Sequence, residues 1–173
     1  NGSHDRNDFK LIGKKEKFIV YNNYKMTDPA ACPASVLLTH NFPNPDCVRW
    51  ELHRVWVVEA TLKPGARHLY RKRVFYWDED GYVAGQAENY GSDGSLQRVV
   101  IASPYPYFEV PGGADSASFS LDLKNANWSV QGVACADCGD RPLRDKMDDK
   151  VFSPDGMAGA GGSLHPLQAA FHE

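Results

Sequence analysis

The sequence predicts a mainly β protein, a long-stranded antiparallel meander with little helix. Apolar and polar residues alternate with period two across residues 49–63, turn dipeptides recur at short intervals, and helix signals are scarce. In the alternating stretch Trp50, Leu52, Trp56, Val58, Ala60 and Leu62 interleave with Arg49, Glu51, His53, Glu59, Thr61 and Lys63, which reads as one long strand.

In chain order, residues 9–12 and 18–21 are short extended candidates. An irregular loop over 27–46 follows, carrying Pro29, Pro33, Pro43 and Pro45. After the long strand, Lys63-Pro64-Gly65-Ala66 has Pro and Gly where a type II turn wants them, and a second long strand is expected over 67–78. Asp80-Gly81 and Asp93-Gly94 are hairpin signals suited to type I′ turns, so 82–90 and 95–102 become the third and fourth strands. Pro104, Pro106 and Pro111 end or edge the next strand, and 117–124 with 127–134 form a further hairpin. The one convincing helix start is Ser153-Pro154-Asp155, with Ser as N-cap and Pro at the first helical position. The glycines at 156, 159, 161 and 162 cut that helix to about a turn.

The 173 residues are 42% hydrophobic and 12% aromatic, a composition for a single β domain over 1–173. Lys plus Arg total 19 against 22 for Asp plus Glu, a formal charge of −3, so whole-chain electrostatics give no case for a nucleic-acid partner. The longest apolar runs are a few residues, against the ~20 of a membrane-spanning helix. The chain opens on Asn1 and a polar stretch, which reads as a mature or trimmed product.

Four cysteines fall in two sequence-local pairs. They fit two disulfides, Cys32–Cys47 across the proline-rich loop and Cys135–Cys138 in a tight turn, which would place the chain in an oxidising compartment such as a periplasm. The alternative is a four-thiolate zinc site, although only one Cys-x2-Cys knuckle is present.

Turn positions set an expected register. With Pro64-Gly65 at the tip, Leu52 faces Trp77, Arg54 faces Phe75, Trp56 faces Arg73, and Val58 faces Arg71. With Asp80-Gly81 at the next tip, Arg73 faces Glu88 and Arg71 faces Tyr90. One face then has the apolar composition of a core, yet arginines thread through it. A buried unpaired Arg costs several kcal/mol, so these groups are expected to be paired, stacked on rings or open to water. Glu88 can pair Arg73, while Arg54 and Arg71 lack an obvious carboxylate. Trp50, Arg54, Trp56, Arg71, Arg73, Phe75 and Trp77 are therefore the candidate lining of an amphipathic cavity, in which rings hold a greasy ligand and an Arg meets an acidic group. The plainer alternative is a solvated face of cross-strand aromatic pairs.

Catalytic and metal chemistry is thin. Six histidines show no metal-ligand spacing. His53 and His68 sit on neighbouring expected strands but off direct register. No nucleophile elbow, phosphate loop or dinucleotide fingerprint occurs, so no catalytic residue, metal or cofactor is expected.

Arg49-Trp-Glu-Leu-His-Arg-Val-Trp-Val-Val-Glu-Ala-Thr-Leu-Lys-Pro-Gly-Ala-Arg-His68, then Tyr70-Arg-Lys-Arg-Val-Phe-Tyr76 and Asp78-Glu-Asp80, closely resembles a bacterial family of unknown function, domain number thirteen twenty-nine. Phe9-Lys-Leu-Ile-Gly-Lys-Lys-Glu16 and Tyr21-Asn-Asn-Tyr24 are also similar to it, with a weaker echo in Val151-Phe-Ser-Pro-Asp-Gly-Met157. The resemblance covers roughly 8–110, leaving 111–173 as a strand hairpin plus irregular tail, and corresponds to the carboxy-terminal portion of longer proteins. It implies a curved, LolB-like half-barrel sheet and an exported envelope protein of Gram-negative bacteria, periplasmic or on the periplasmic face of the outer membrane. It also implies a non-enzymatic role, binding or carrying a lipid or other hydrophobic molecule. The alternative is a structural subunit whose sheet is completed by another envelope polypeptide or a second copy. Where the family continues Ser-Trp after Asp80, this chain has Gly81-Tyr82, and 114–150 has no counterpart in the resemblance.

Overall fold

The computed structural model describes residues 3–81, 83–106, 114–133 and 149–156. The chain divides into one compact unit over 1–139 and a second over 140–173. The described residues of the first unit form seven strands: β1 (Asn7–Val20), β2 (Trp50–Leu62), β3 (Lys72–Asp78), β4 (Ala84–Tyr90), β5 (Leu96–Pro106), β6 (Ala114–Asp122) and β7 (Asn127–Gln131). They pair antiparallel in sequence order as a single sheet, the expected meander. Two one-turn helices, α1 (Tyr24–Thr27) and α2 (Ala34–Leu37), lie in the segment between β1 and β2. In the second unit, the Gly156 N–H donates to Ser153 Oγ at 3.0 Å, capping the short helical turn read from Ser153-Pro154-Asp155.

β1 is one strand of 14 residues rather than two short ones. Gly13 joins its halves, with φ at 138° and a register shift between Leu11 and Gly13 against β2, which is a β-bulge. β2 coincides with the alternating stretch. Beyond it the type II turn is present, with the Ala66 N–H donating to the Lys63 carbonyl at 3.2 Å and Gly65 at φ 79°. The chain does not return directly from that turn. The Leu62 N–H donates to the Arg71 carbonyl, so β3 begins at Lys72 rather than at residue 67.

This longer connection corrects the expected register. Trp77 lies opposite Trp56, Phe75 opposite Val58, and Arg73 opposite Ala60, in place of Leu52, Arg54 and Trp56. Each partner has moved by four residues, an even number, so the side chains keep their faces. At the next hairpin Arg73 lies opposite Asn89, and Glu88 lies opposite Val74. That displacement is one residue, so Glu88 points to the other face and the expected Arg73–Glu88 pair does not form. Arg71 precedes β3, and Tyr90 pairs with Lys72 instead.

Asp93-Gly94 does make a hairpin, though not a two-residue one. The Gly91 N–H donates to the Ser95 carbonyl, the Gly94 N–H to the Gly91 carbonyl, and Gly94 has φ 81°. This is a three-residue loop ending on a left-handed glycine. At the β6–β7 turn the Asp122 carboxylate accepts from the backbone N–H groups of Lys124 and Asn125.

The sheet curls. β1 and β4 are three places apart, yet the Lys17 ammonium lies 3.6 Å from Glu88, and a Cβ on Gly85 would sit 3.1 Å from Ile19 Cγ2. The face carrying Lys17, Ile19 and Glu88 is therefore the inner, concave one. Its apolar residues form two buried clusters. Ile19, Val55, Val57 and Tyr76 make the first. Ile101, Ala117 and Phe119 make the second, together with Val20 and with Met26, Cys32, Leu37 and Cys47 from the β1–β2 segment, which covers that end of the sheet. Asn23 fixes the cover: its amide donates to Ser103 Oγ at 2.7 Å and accepts from the Arg49 N–H at 3.0 Å.

Cys32 and Cys47 are joined as expected, with Cα atoms 5.9 Å apart across a separation of 15 residues, and both are buried. Cys135 and Cys138 lie outside the described residues. Closing a loop of this length restricts the unfolded chain by about 3 kcal/mol. Reduction, or the double change Cys32→Ser and Cys47→Ser, is expected to lower the urea midpoint accordingly. An unchanged midpoint under dithiothreitol would show that the bridge carries no stability.

Candidate functional site

The face opposite the two clusters holds nearly all the residues singled out from the sequence, arranged in cross-strand rows. One row runs Phe9, Ala60, Arg73, Asn89, Arg98, Asp122. The next runs Leu11, Val58, Phe75, Ala87, Val100, and beyond it Trp56 lies between Lys14 and Trp77. Further along β2, Leu52 faces Phe18. Alternation places them there: once the inner face takes Val55, Val57 and Tyr76, the even-numbered residues of β2 and the odd-numbered residues of β3 have to point outward.

Much of this face is in solvent. Phe9, Leu11, Phe18 and Leu52 are half exposed or more, at 50%, 60%, 61% and 55%, and Trp50 and Trp77 are each 39% exposed. Exposed single apolar residues are ordinary, but a band of aromatic and aliphatic side chains across three adjacent strands is a feature of binding surfaces.

The cations on this face fall into two groups. Arg54 and Lys14 both donate to the Glu79 carboxylate, and the Lys14 ammonium also lies 4.1 Å from the centre of the Trp56 ring. Glu79 is thus the carboxylate for Arg54 that the sequence did not reveal. Its two cationic partners hold its carboxyl below the ordinary range, and Glu79 in turn raises the Arg54 guanidinium. Arg73 is different. It is 8% exposed, its guanidinium carbon lies 5.5 Å from the centre of the Phe75 ring, and burial alone pulls its pKa down. Arg71 is exposed and outside the strands, so the structure does not bring it into the rows with Arg73, Phe75 and Trp56.

Glu88 serves the inner face. Its Oε2 accepts from the hydroxyls of Tyr76 at 2.9 Å and Tyr90 at 2.7 Å, and its Oε1 faces the Lys17 ammonium. Burial first, then Glu88, pushes the Tyr90 hydroxyl up to about 12 and raises Tyr76 as well. The Lys15 and Lys17 ammonium groups lie 4.6 Å and 4.2 Å from the centre of the Tyr76 ring. The concave surface near β1, β3 and β4 is therefore packed with Lys, Tyr and Glu. The candidate aromatic lining is on the convex side.

A second constellation escaped the sequence reading. His53 Nδ1 is 2.8 Å from Asp78 Oδ1, its Nε2 is 3.3 Å from Glu51 Oε2, and the Tyr21 ring packs against it at a tilt, with ring centres 4.3 Å apart. Asp78, 1% exposed, also accepts from the Gly81 N–H at 2.7 Å. His53, Asp78 and Asp80 bring one ligand atom each within 4.8 Å of one another, a closeness to which the His53–Asp78 hydrogen bond contributes. His68 is elsewhere, bonded to Tyr70 in the β2–β3 connection. The signal for this group was the shared parity of Glu51, His53 and Val55 with Asp78 opposite Val55, which only the corrected register exposes.

Among known families, the one described as a protein of unknown function, DUF1329, matches residues 1–158, extending beyond the 8–110 stretch that carries the sequence resemblance. An uncharacterized protein of Pseudomonas aeruginosa is 48% identical over 109 residues, covering 63% of this chain and 24% of that protein. A solved DUF1329 family protein from Desulfovibrio piger is 13% identical with a TM-score of 0.44, over 88% of this chain and 47% of that one. A Vibrio parahaemolyticus domain described as an outer membrane lipoprotein-sorting protein domain is 12% identical with a TM-score of 0.42, over 73% of this chain and 39% of that one. The chain thus spans about a quarter of the curated relative and less than half of either solved chain.

Proposed function

The chain belongs to the DUF1329 family, and on that premise we propose that it is a non-enzymatic cell-envelope protein whose curved sheet binds or carries a lipid or other hydrophobic ligand. Its place is the periplasm or the periplasmic face of the outer membrane. The observation that carries the reading is the solvent-facing band in which Trp56 and Trp77 pair across strands beside Val58, Phe75 and Leu11. The Cys32–Cys47 disulfide supports an oxidising compartment. Within the band Trp50, Trp56, Phe75 and Trp77 supply apolar contact and Arg73 the charge. Arg54, held by Glu79, and Arg71, ahead of β3, stand at its margin.

The neutral dye N-phenyl-1-naphthylamine, whose emission rises in apolar surroundings, tests this directly. Covering an indole ring is worth on the order of 2 kcal/mol, so Trp77→Ala is expected to weaken dye binding roughly tenfold or more. Saturable binding unchanged in Trp77→Ala and Trp56→Ala would move the ligand off this face. No saturable binding at all would remove the hydrophobic-ligand reading.

A second reading has the same band covered by another polypeptide, and the exposure of Phe9 and Leu11 on the terminal strand of the sheet favours it. Sedimentation as a strict monomer at high concentration, with no envelope protein retained by a cross-linker placed at Phe9, would count against it.

A further inference from the structure

Arg73 is a largely buried guanidinium with no counter-charge among the described residues. It is 8% exposed, its Nε has no hydrogen-bond partner, and it makes no ion pair among the described residues. Among the described residues, the carboxylates that sequence or register could offer it are committed elsewhere. Glu88 is on the opposite face under Tyr76 and Tyr90, Glu79 holds Lys14 and Arg54, and Asp122 holds Arg98 through Nη2 at 2.9 Å. In the row of Arg73, Asn89 is also buried and gives its amide N–H to the Arg98 carbonyl, and Arg98 Nε is a second buried nitrogen without a partner. A desolvated charge left unpaired is destabilising, and a protein that keeps one has a use for it. Guanidinium groups match carboxylate and phosphate oxygens through parallel N–H donors.

The surroundings say what else the anion carries. One row from Arg73 the face is Leu11, Val58, Phe75 and Ala87, and the row after that is Trp56 and Trp77. From Arg73 to Trp77 is four residues along β3, about 13 Å, lined by Val58, Phe75, Trp56 and Trp77 and ending where the Lys14 ammonium lies over the Trp56 ring. We propose that Arg73 receives the acidic group of an anionic amphiphile, a carboxylate or phosphate, whose hydrocarbon chain lies across Phe75 toward Trp56 and Trp77. This rests on the hydrophobic-ligand reading and adds the charge of the ligand and its orientation.

The test compares ligands that share one chain and differ at the head: oleate, oleoyl lysophosphatidate and oleyl alcohol. Each is titrated below its aggregation threshold into the full 173-residue chain, with binding followed by tryptophan fluorescence. The expected result is roughly tenfold tighter binding of oleate or the lysophosphatidate than of the alcohol; which acid is preferred separates carboxylate from phosphate. Arg73→Met should abolish the preference for the acids over the alcohol, and Arg73→Lys should keep part of it. The ligand-free Arg73→Met protein should also melt at a higher temperature than the parent, because an unpaired charge has gone. A structural role would lower it.

Equal affinity for acid and alcohol in the parent, or a preference that survives Arg73→Met, overturns the inference and leaves the hydrophobic-ligand reading standing. Binding of inorganic phosphate as tight as that of the lysophosphatidate also overturns it, since the hydrocarbon chain would then contribute nothing and the site would take a free anion. Failure of all three ligands to bind overturns both.

Discussion

Asp78→Ala is expected to lower stability by about 3 kcal/mol at pH 6 and by clearly less at pH 9. Asp78 is almost wholly buried and accepts from two groups, the His53 imidazole and the Gly81 N–H. Removing one member of a buried hydrogen-bonded charge pair costs about 3–5 kcal/mol, and the lower end applies because His53 is only partly buried and keeps Glu51. The pH dependence follows from His53. Burial alone would depress its pKa, but the hydrogen bonds to Asp78 and Glu51, with their charges, outweigh this and raise it above the ordinary 6.5. A raised folded value means that the imidazolium contributes its full stability below about pH 6.5, and that the contribution disappears as pH rises through the folded value. Glu51 works in the other direction. Burial raises it, while the bonds from His53 and Asn22 and the Arg49 charge bring it below its ordinary value, so its contribution is present at neutral pH and lost in acid. The parent should therefore be most stable, relative to the variant, on the mildly acidic side of neutrality. Urea unfolding of both proteins at pH 6 and pH 9 measures the difference, and equal losses at the two pH values would show that the His53 charge does not act through Asp78.

Phe119→Ala should cost about 4 kcal/mol at any pH in that range. Phe119 is 1% exposed, lies between Ile101 of β5 and Val130 of β7, and sits 6.5 Å from the Trp128 ring. Truncating a buried Phe removes its transfer free energy and leaves a cavity that rigid neighbours cannot fill, together about 3–5 kcal/mol. Here the neighbours are held by a sheet on one side and by a disulfide-closed cover on the other. The loss should appear in the urea midpoint and as an altered Trp128 environment in near-ultraviolet circular dichroism. A loss under 1 kcal/mol would mean that the cover collapses freely onto the sheet.

The meander was legible because its signals are local. The alternation of 49–63 marks β2, Pro64-Gly65 marks a type II turn, and Asp93-Gly94 marks a hairpin. What failed was arithmetic between elements. A turn signal says where the chain bends, not how many residues separate it from the first ladder bond, and here 67–71 stay outside β3. An even error preserved the face of Trp56, Phe75 and Trp77; the odd one at Glu88 moved a carboxylate through the sheet and took from Arg73 its expected partner. Counting charges on one strand could not show this, nor that Glu79, just past the end of β3, would reach back to Arg54 and Lys14. The disulfide pairing of Cys32 with Cys47 was visible from spacing. Its place over Phe119 was not, because a loop sequence does not state which part of a sheet it covers.

The bulge at Gly13 changes how β1 can tolerate alteration. Before it, odd-numbered residues such as Phe9 and Leu11 face outward; after it, odd-numbered residues such as Lys17 and Ile19 face inward. One extra residue thus lets a single strand be written in two frames, the first half supplying an apolar flank to the outer band and the second an inward anchor to Gly85 and Glu88. The two halves are free to diverge independently. Removing the extra residue would force them into one frame, so that either the outer band or the inner anchor would be lost.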